Sequence, residues 1–312
     1  MGGGLDVRQL EQAIGVIAER ARPGTLGMAV KDLASGDIWS LNGSRAFPMQ
    51  SVFKLPLGAV VLAAIDRGVL SLDDTVVLSP EDLSPPYSPI SAAYPGRVGY
   101  AIGELLRAAS GGSDNTAADV LMARVGGPAA VTRWLAANGI RGMRVDRYER
   151  QFQIELNDMP PFRPAWATES AFLAALNQVP PDRRRRATRA YLADARDTST
   201  PVASVQFLEK LVRGDLLSSR STAHLLRIAT ETGTGARRIK GALPAGANVA
   251  HKTGSARPDL GMNPAINDIG IVTLADGRRV VVALYLAGST LPYQEAEALL
   301  ADATRAVIAS LR

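Results

Sequence analysis

The chain has 312 residues, 46% hydrophobic and 21% charged, with a formal net charge of +5. That length can bury a sizeable core as one large domain or two lobes, and that charge is too small to argue for a nucleic-acid partner. The absence of cysteine removes disulfides, thiolate metal sites and cysteine nucleophiles together, and two histidines far apart, His224 and His251, give no expectation of a catalytic zinc.

The opening MGGGLDVRQLEQ has neither the basic head nor the apolar run of an export signal, and its glycines read as an artificial replacement for whatever preceded the mature chain. Residues 6–20 carry Leu, Ile and Val at helical spacing, which predicts an amphipathic helix. TLGMAVKDLASGDIWSLN reads as two strands around a Ser35-Gly36-Asp37 turn. From Ser51 to about Gly112 the pattern is helices and loops, with a proline-rich loop at SPEDLSPPYSPI. Residues 113–140 read as two helices, the first ending at Gly126-Gly127, where glycine permits a left-handed cap. Between 145 and 200, NDMPPFRPAW precedes two helical stretches, TESAFLAALNQV and DRRRRATRAYLADA. Four consecutive arginines point all round a helix, so the second reads as a solvated surface element; the insertion from about 151 to 193 reads by default as surface elaboration, the alternatives being a cover for the cleft rim, a thickening of the loop's outer face or a contact with a partner subunit. Helices return over 202–230. ANVAHKT, INDIGIVTL and RRVVVALYL then read as strands, the last two joined by Asp276-Gly277, a hairpin signal, and a helix runs from about 292 to the end. The longest wholly apolar runs, such as AVVLAAI, are too short to cross a bilayer.

Strands therefore lie at both ends and helices in the middle. The packing this predicts is an α/β (α+β) fold. One antiparallel sheet, built from 1–48 and 203–312, is flanked by the terminal helices, and an all-helical lobe over 49–202 is inserted. The cleft between two such lobes is a natural place for a site.

Three short motifs bear on chemistry. Ser51 and Lys54 stand three residues apart at the head of an apolar run; if Ser51 begins a helix, the amine lies one turn on over the same face. Ser113, Asp114 and Asn115 follow two glycines and on their own would be a helix cap. Lys252, Thr253 and Gly254 end a strand, offering a cation and a hydroxyl to a carboxylate and a glycine that lets a ligand approach the backbone. Singly each is common. As an ordered set, S-x-x-K, S-D-N and K-T-G resemble the class A serine β-lactamases and penicillin-binding proteins.

The resemblance extends over nearly the whole chain and implies roles. Ser51 would be the acylated nucleophile, Lys54 its proton partner, and Ser113 the relay to the lactam nitrogen. Asn115 would bond the substrate's side-chain amide, Lys252 and Thr253 would hold its carboxylate, and Tyr87 would wall the cleft. The backbone N–H groups of Ser51 and Ser255 would form the oxyanion hole. VDRYERQ resembles the entrance of the family's omega-type loop and ARDTSTP its exit. That makes Glu149 the expected activator of the deacylating water and Arg147 with Asp197 the expected ion pair at the loop's neck.

The chain also departs from the family. The segment between Arg147 and Asp197 is much longer than the usual loop. Phe152 and Gln153 stand where a Leu-Asn pair normally follows the base, while a Glu-Leu-Asn occurs later, at Glu155, Leu156 and Asn157. Either Gln153 replaces the asparagine, or the loop is rebuilt and Glu155 or Asn157 takes a role. Ile269 stands where many members carry a carboxylate-binding arginine, and Arg238, in GARRIKGALPAG, is either its compensating equivalent or an ordinary surface arginine.

The resemblance implies hydrolysis of a small-molecule β-lactam by a monomer, exported to the periplasm or secreted, with no metal or other cofactor, no nucleic acid and no membrane span. A D,D-peptidase or esterase shares the three motifs but lacks the deacylating glutamate. A binding protein that acylates without turnover is the third reading, and the rebuilt loop is the feature in its favour.

Overall fold

The computed structural model describes residues 4–312; Gly2 and Gly3, within the leader read as artificial, lie outside the described residues. In chain order, α1 (Val7–Arg20) leads into β1 (Thr25–Asp32), β2 (Ile38–Leu41) and β3 (Phe47–Pro48). A 3₁₀ turn over Gln50–Phe53 opens α2 (Lys54–Asp66). There follow β4 (Thr75–Val77), α3 (Pro89–Ala93), β5 (Gly99–Ala101), α4 (Ile102–Leu106), α5 (Asn115–Arg124) and α6 (Pro128–Ala137). The long segment holds α7 (Glu149–Leu156), α8 (Glu169–Leu176), α9 (Pro181–Ala193) and β6 (Thr198–Ser199). Last come α10 (Pro201–Arg213), α11 (Ser219–Thr230), β7 (Asn248–Ser255), β8 (Asn263–Thr273), β9 (Arg279–Ser289) and α12 (Tyr293–Ala309).

Five strands form one antiparallel sheet in the order β2-β1-β9-β8-β7, so both ends of the chain build it, as the strand pattern predicts. The central strand β9 is apolar without a break from 280 to 287 because it is covered on both faces. Along β9, Val280, Val282, Leu284 and Leu286 join the core under α1 and α12, while Val281, Ala283 and Tyr285 face the other way into the larger core shared with α2, α5 and α10. Residues two apart share a face in an extended strand, so one unbroken apolar run feeds two cores. In α1, Leu10, Ile14 and Ile17 supply the buried stripe, and Asp6 caps the helix by accepting from the Gln9 N–H at 3.1 Å. The β8–β9 hairpin turns at Asp276-Gly277, with Gly277 in the left-handed region at φ +85. No described helix is long and apolar enough to cross a membrane.

The helical lobe is organised around α2, buried along almost its whole length from Lys54 to Ala64, as an all-round apolar helix must be. Ser51 does not begin this helix: it sits in the preceding 3₁₀ turn, and α2 starts at Lys54. Pro56 gives the physical reason. It has no N–H to bond back to Val52, so the α-ladder cannot extend through 52, and proline is tolerated only within the first turn.

The Ser51 turn is seated on the sheet. Asn267 on β8 donates through Nδ2 to the carbonyls of Pro48 at 2.8 Å and Met49 at 3.1 Å, and the Met49 N–H donates to the Asp197 carbonyl at 3.0 Å. Asn267 is buried, and removing its amide takes a donor from two carbonyls, of which that of Met49 keeps the Val52 N–H at 3.2 Å. Asn267→Ala is therefore expected to cost about 2 kcal/mol and to lower the thermal unfolding midpoint by about 4 °C. A melting curve superimposable on the wild type would show that the seat carries no weight.

Candidate active site

Between the sheet and the helical lobe lies a cleft of about 560 Å³ lined by Ser51, Tyr87, Ser113, Asn115, Arg238, Thr253 and Ser255. Residues from all three motifs meet there. Lys54, Glu149 and Lys252 lie beneath its wall and are completely buried, at 0, 1 and 0% exposure. Tyr87 is 62% exposed at the rim, and its carbonyl accepts from the Asn115 N–H at 3.0 Å.

A buried ammonium needs an acceptor for each proton. Lys54 Nζ donates to the Ser113 carbonyl at 2.8 Å and to Asn115 Oδ1 at 2.5 Å, and its charge is paired with Glu149 Oε1 at 3.1 Å. Asn115 in turn donates through Nδ2 to the Pro85 carbonyl at 3.0 Å, which leaves one amide N–H for a ligand. Lys252 Nζ donates to Ser113 Oγ and to the Thr253 carbonyl, both at 3.0 Å. Burial lowers the Lys252 pKa well below its ordinary value, and the nearby charge of Lys54 pushes the same way. A π-helical turn over Arg107–Gly111 and a left-handed Ser113, at φ +63, bring that hydroxyl and that carbonyl between the two amines.

Glu149 opens α7 and is held from both ends. Its N–H donates to Asp119 Oδ1 at 2.6 Å, and its Oε2 accepts from Gln153 Nε2 at 2.9 Å. Of the alternatives left open after the base, Gln153 is the residue that reaches the carboxylate and also lines the cleft. Asn157 bonds the Gln153 carbonyl at 2.7 Å, and Glu155 turns away to Arg147 Nη1 at 2.6 Å. Arg147 Nε donates to Asp197 Oδ2 at 2.6 Å, and Asp197 also accepts from the N–H groups of Asp146 and Arg147, joining the two ends of the segment.

Arg238 is not a surface arginine. It is 3% exposed and donates to Glu297, the Asn267 carbonyl, Ser255 Oγ and Tyr293 Oη at 2.7 to 3.0 Å. Its guanidinium thus reaches the cleft through Ser255, whose hydroxyl it bonds at 2.7 Å. Ile269, paired with Lys252 in the β7–β8 ladder, is fully buried. The role expected of Gly254 also changes. A Cβ there would lie 2.3 Å from the Met49 carbonyl oxygen, so the close approach it permits is that of the protein's own Ser51 turn rather than a ligand.

The long segment is more than surface elaboration. Phe172 on α8 and Thr188 on α9 line the cleft, Arg257 beyond β7 pairs with Glu169, and Arg184 pairs with Asp259 at 2.8 Å. The arginine helix keeps a solvated face, where Arg183 and Arg185 are half exposed, but its opposite side carries the buried Tyr191. Sequence reasoning missed Asp119, Asn267, Tyr191 and Tyr293. Only Asp119 left a signal, as a lone acid inside the apolar run of α5.

Known proteins resemble this chain in sequence and fold. The model of the β-lactamase enzyme family matches residues 9–311. The extended-spectrum β-lactamase PER-1 of Pseudomonas aeruginosa is 32% identical over 92% of this chain and 82% of its own length. The β-lactamase VEB-1 of the same organism is 30% identical over 86% and 80%. Among solved structures, a β-lactamase from Chitinophaga pinensis superposes with a TM-score of 0.78 at 34% identity, covering 95% of this chain and 97% of its own. An ancestral class A β-lactamase superposes with a TM-score of 0.78 at 33% identity, covering 97% and 100%.

The buried Lys252 has a pH consequence. Its native pKa lies below the 10.5 of the unfolded chain, so between those two values the unfolded chain binds the extra proton. The cost of burying the charge is complete below the native pKa and is relieved as pH rises through that window. Unfolding free energies of the wild type and Lys252→Met, measured side by side in denaturant, are expected to show the wild type gaining on the variant as pH rises. Parallel profiles would contradict a depressed Lys252.

Proposed function

The chain belongs to the β-lactamase enzyme family, class A, and on that premise we propose that it is a serine β-lactamase, opening the lactam through a covalent acyl-enzyme on Ser51 and releasing the product by hydrolysis. The observation that carries this reading is the 3.1 Å contact of Lys54 Nζ with Glu149 Oε1, buried beside the Ser51 turn. A serine hydroxyl is a poor nucleophile until a base takes its proton, and this pair supplies a proton acceptor next to a proton carrier.

In the proposed reaction Ser51 Oγ attacks the lactam carbonyl carbon while its proton passes to the Lys54–Glu149 pair. The backbone N–H groups of Ser51 and Ser255 stabilise the oxyanion as it forms. The C–N bond breaks as Ser113 gives its hydroxyl proton to the lactam nitrogen. The proton taken from Ser51 returns through Ser113, so the pair ends the step as it began. Lys252, Thr253 and Ser255, the last backed by Arg238, hold the substrate carboxylate. The remaining Asn115 N–H bonds the side-chain amide, and Tyr87 shields the rim. In deacylation Glu149 takes a proton from a water that Gln153 helps to hold. The water oxygen attacks the ester carbon, and Ser51 departs with the proton restored. Action as an exported monomer, with the lactam as the one partner, belongs to the same proposal.

One observation favours the acylating binder as a second reading: Gln153 already occupies Glu149 Oε2 at 2.9 Å, where a water would otherwise bond. A chromogenic cephalosporin assay followed by intact mass separates the two. Steady turnover is expected from the wild type. Glu149→Gln is expected to keep the acyl adduct and to slow its release by about a hundredfold or more, the span of general-base catalysis. A single burst from the wild type, with the adduct persisting, would give the binding reading instead.

A further inference from the structure

The inserted helix α9 sends one side chain into the core, and it arrives beside Ser51. Tyr191 is buried, and its hydroxyl accepts a 2.6 Å hydrogen bond from Nε2 of Gln50, the residue immediately before Ser51. We propose that Tyr191 is a positioning residue for Ser51, fixing through the Gln50 side chain the peptide plane from which the Ser51 N–H projects. This rests on the reading of Ser51 as the nucleophile.

The geometry makes the Gln50 side chain the sensitive point. Gln50 is 3% exposed and sits at φ +49, in the left-handed region where a residue with a Cβ persists only if its surroundings hold it. The turn is held on its N-terminal side through Met49, whose N–H bonds the Asp197 carbonyl and whose carbonyl accepts from Asn267. Gln50 itself is held by Tyr191. Rotation about the Gln50 backbone would swing the peptide that follows, and with it the N–H that the proposed oxyanion hole requires. A donor preorganised in this way lowers the barrier only while its aim is fixed.

Tyr191 is also well anchored. Its ring lies 5.6 Å from that of Phe152 at an interplanar angle of 57°, and it belongs to a small core with Leu156, Ala256 and Ala265. One inserted side chain therefore bears on α7, which carries Glu149, on the chain just beyond β7, and on the residue before Ser51. Burial pushes the phenol pKa up, so the hydroxyl stays protonated across the neutral range.

The test is a cycle of Gln50→Met, Tyr191→Phe and the double variant, with Arg185→Ala, exposed on the same helix, as control. Tyr191→Phe keeps the ring and its packing and removes only the acceptor. Single-turnover acylation by a chromogenic cephalosporin is expected to slow by about tenfold, short of the hundredfold or more that follows complete loss of an oxyanion donor. Substrate affinity should stay within about twofold, and the double variant should be no slower than the worse single, because the two groups act as a unit. The amide resonance of Ser51 should shift in Tyr191→Phe and not in Arg185→Ala, a readout that needs no turnover. An acylation rate within twofold of wild type, losses that multiply in the double variant, or an unmoved Ser51 amide would each overturn the positioning role. A wild type that forms no adduct at all would instead sink the reading of Ser51, while the amide shift would still report on the brace.

Discussion

Two ammonium groups are buried completely in one cleft floor, and much of the molecule can be understood as the set of acceptors they require. An uncompensated buried charge costs several kcal/mol even after relaxation. Lys54 and Lys252 meet it with the Ser113 carbonyl and hydroxyl, Asn115, Glu149 and the Thr253 carbonyl. Those groups come from the loop before α5, from α5, from α7 and from β7. Both lobes must therefore be docked, and α7 must be closed over them, before either amine is satisfied. The constraint that builds the cleft is the same one that holds the lobes together.

This explains why the site is readable in part from the sequence. Each amine is announced by a short motif, Lys54 by its spacing from Ser51 and Lys252 by the Thr253-Gly254 that follows it, and a third motif, Ser113 to Asn115, supplies acceptors to both. The fold is readable for a similar reason: an unbroken apolar run marks β9, a period-3.6 pattern marks α1, and Asp276-Gly277 marks a hairpin. What is not readable is written across the chain. Asn267 reaches Pro48 over 219 positions, Gln50 reaches Tyr191 over 141, and Glu149 reaches Asp119 over 30. No local pattern predicts a partner at such range. Gly254 teaches the same lesson: a glycine ending a strand announces a close approach but does not say to what.

The long segment between Arg147 and Asp197 extends this logic. It forms small cores of its own, one around Met159, Phe172, Leu176 and Val179 and one where Phe152, Leu156 and Tyr191 meet Ala256 and Ala265. A short stretch whose ends are pinned by an ion pair can grow in its middle at modest entropic cost, since loop-closure entropy rises only slowly with length. The added helices then take on work that a shorter loop leaves undone. They line part of the cleft and brace the residue before Ser51.

The sheet has two margins. β2 is short, only four residues, which limits what can pair with it. β7 is longer, at eight residues, and an unpaired edge of that length is a template for the edge of another chain. The Ser51 turn lies against its face, packed so closely that Gly254 has no room for a methyl group. The turn that bears Ser51 thus also covers part of the strand at the sheet's longer margin. Any route that widens the cleft by loosening this turn would uncover that face of the strand, so a gain in room obtained there would carry with it a loss of packing.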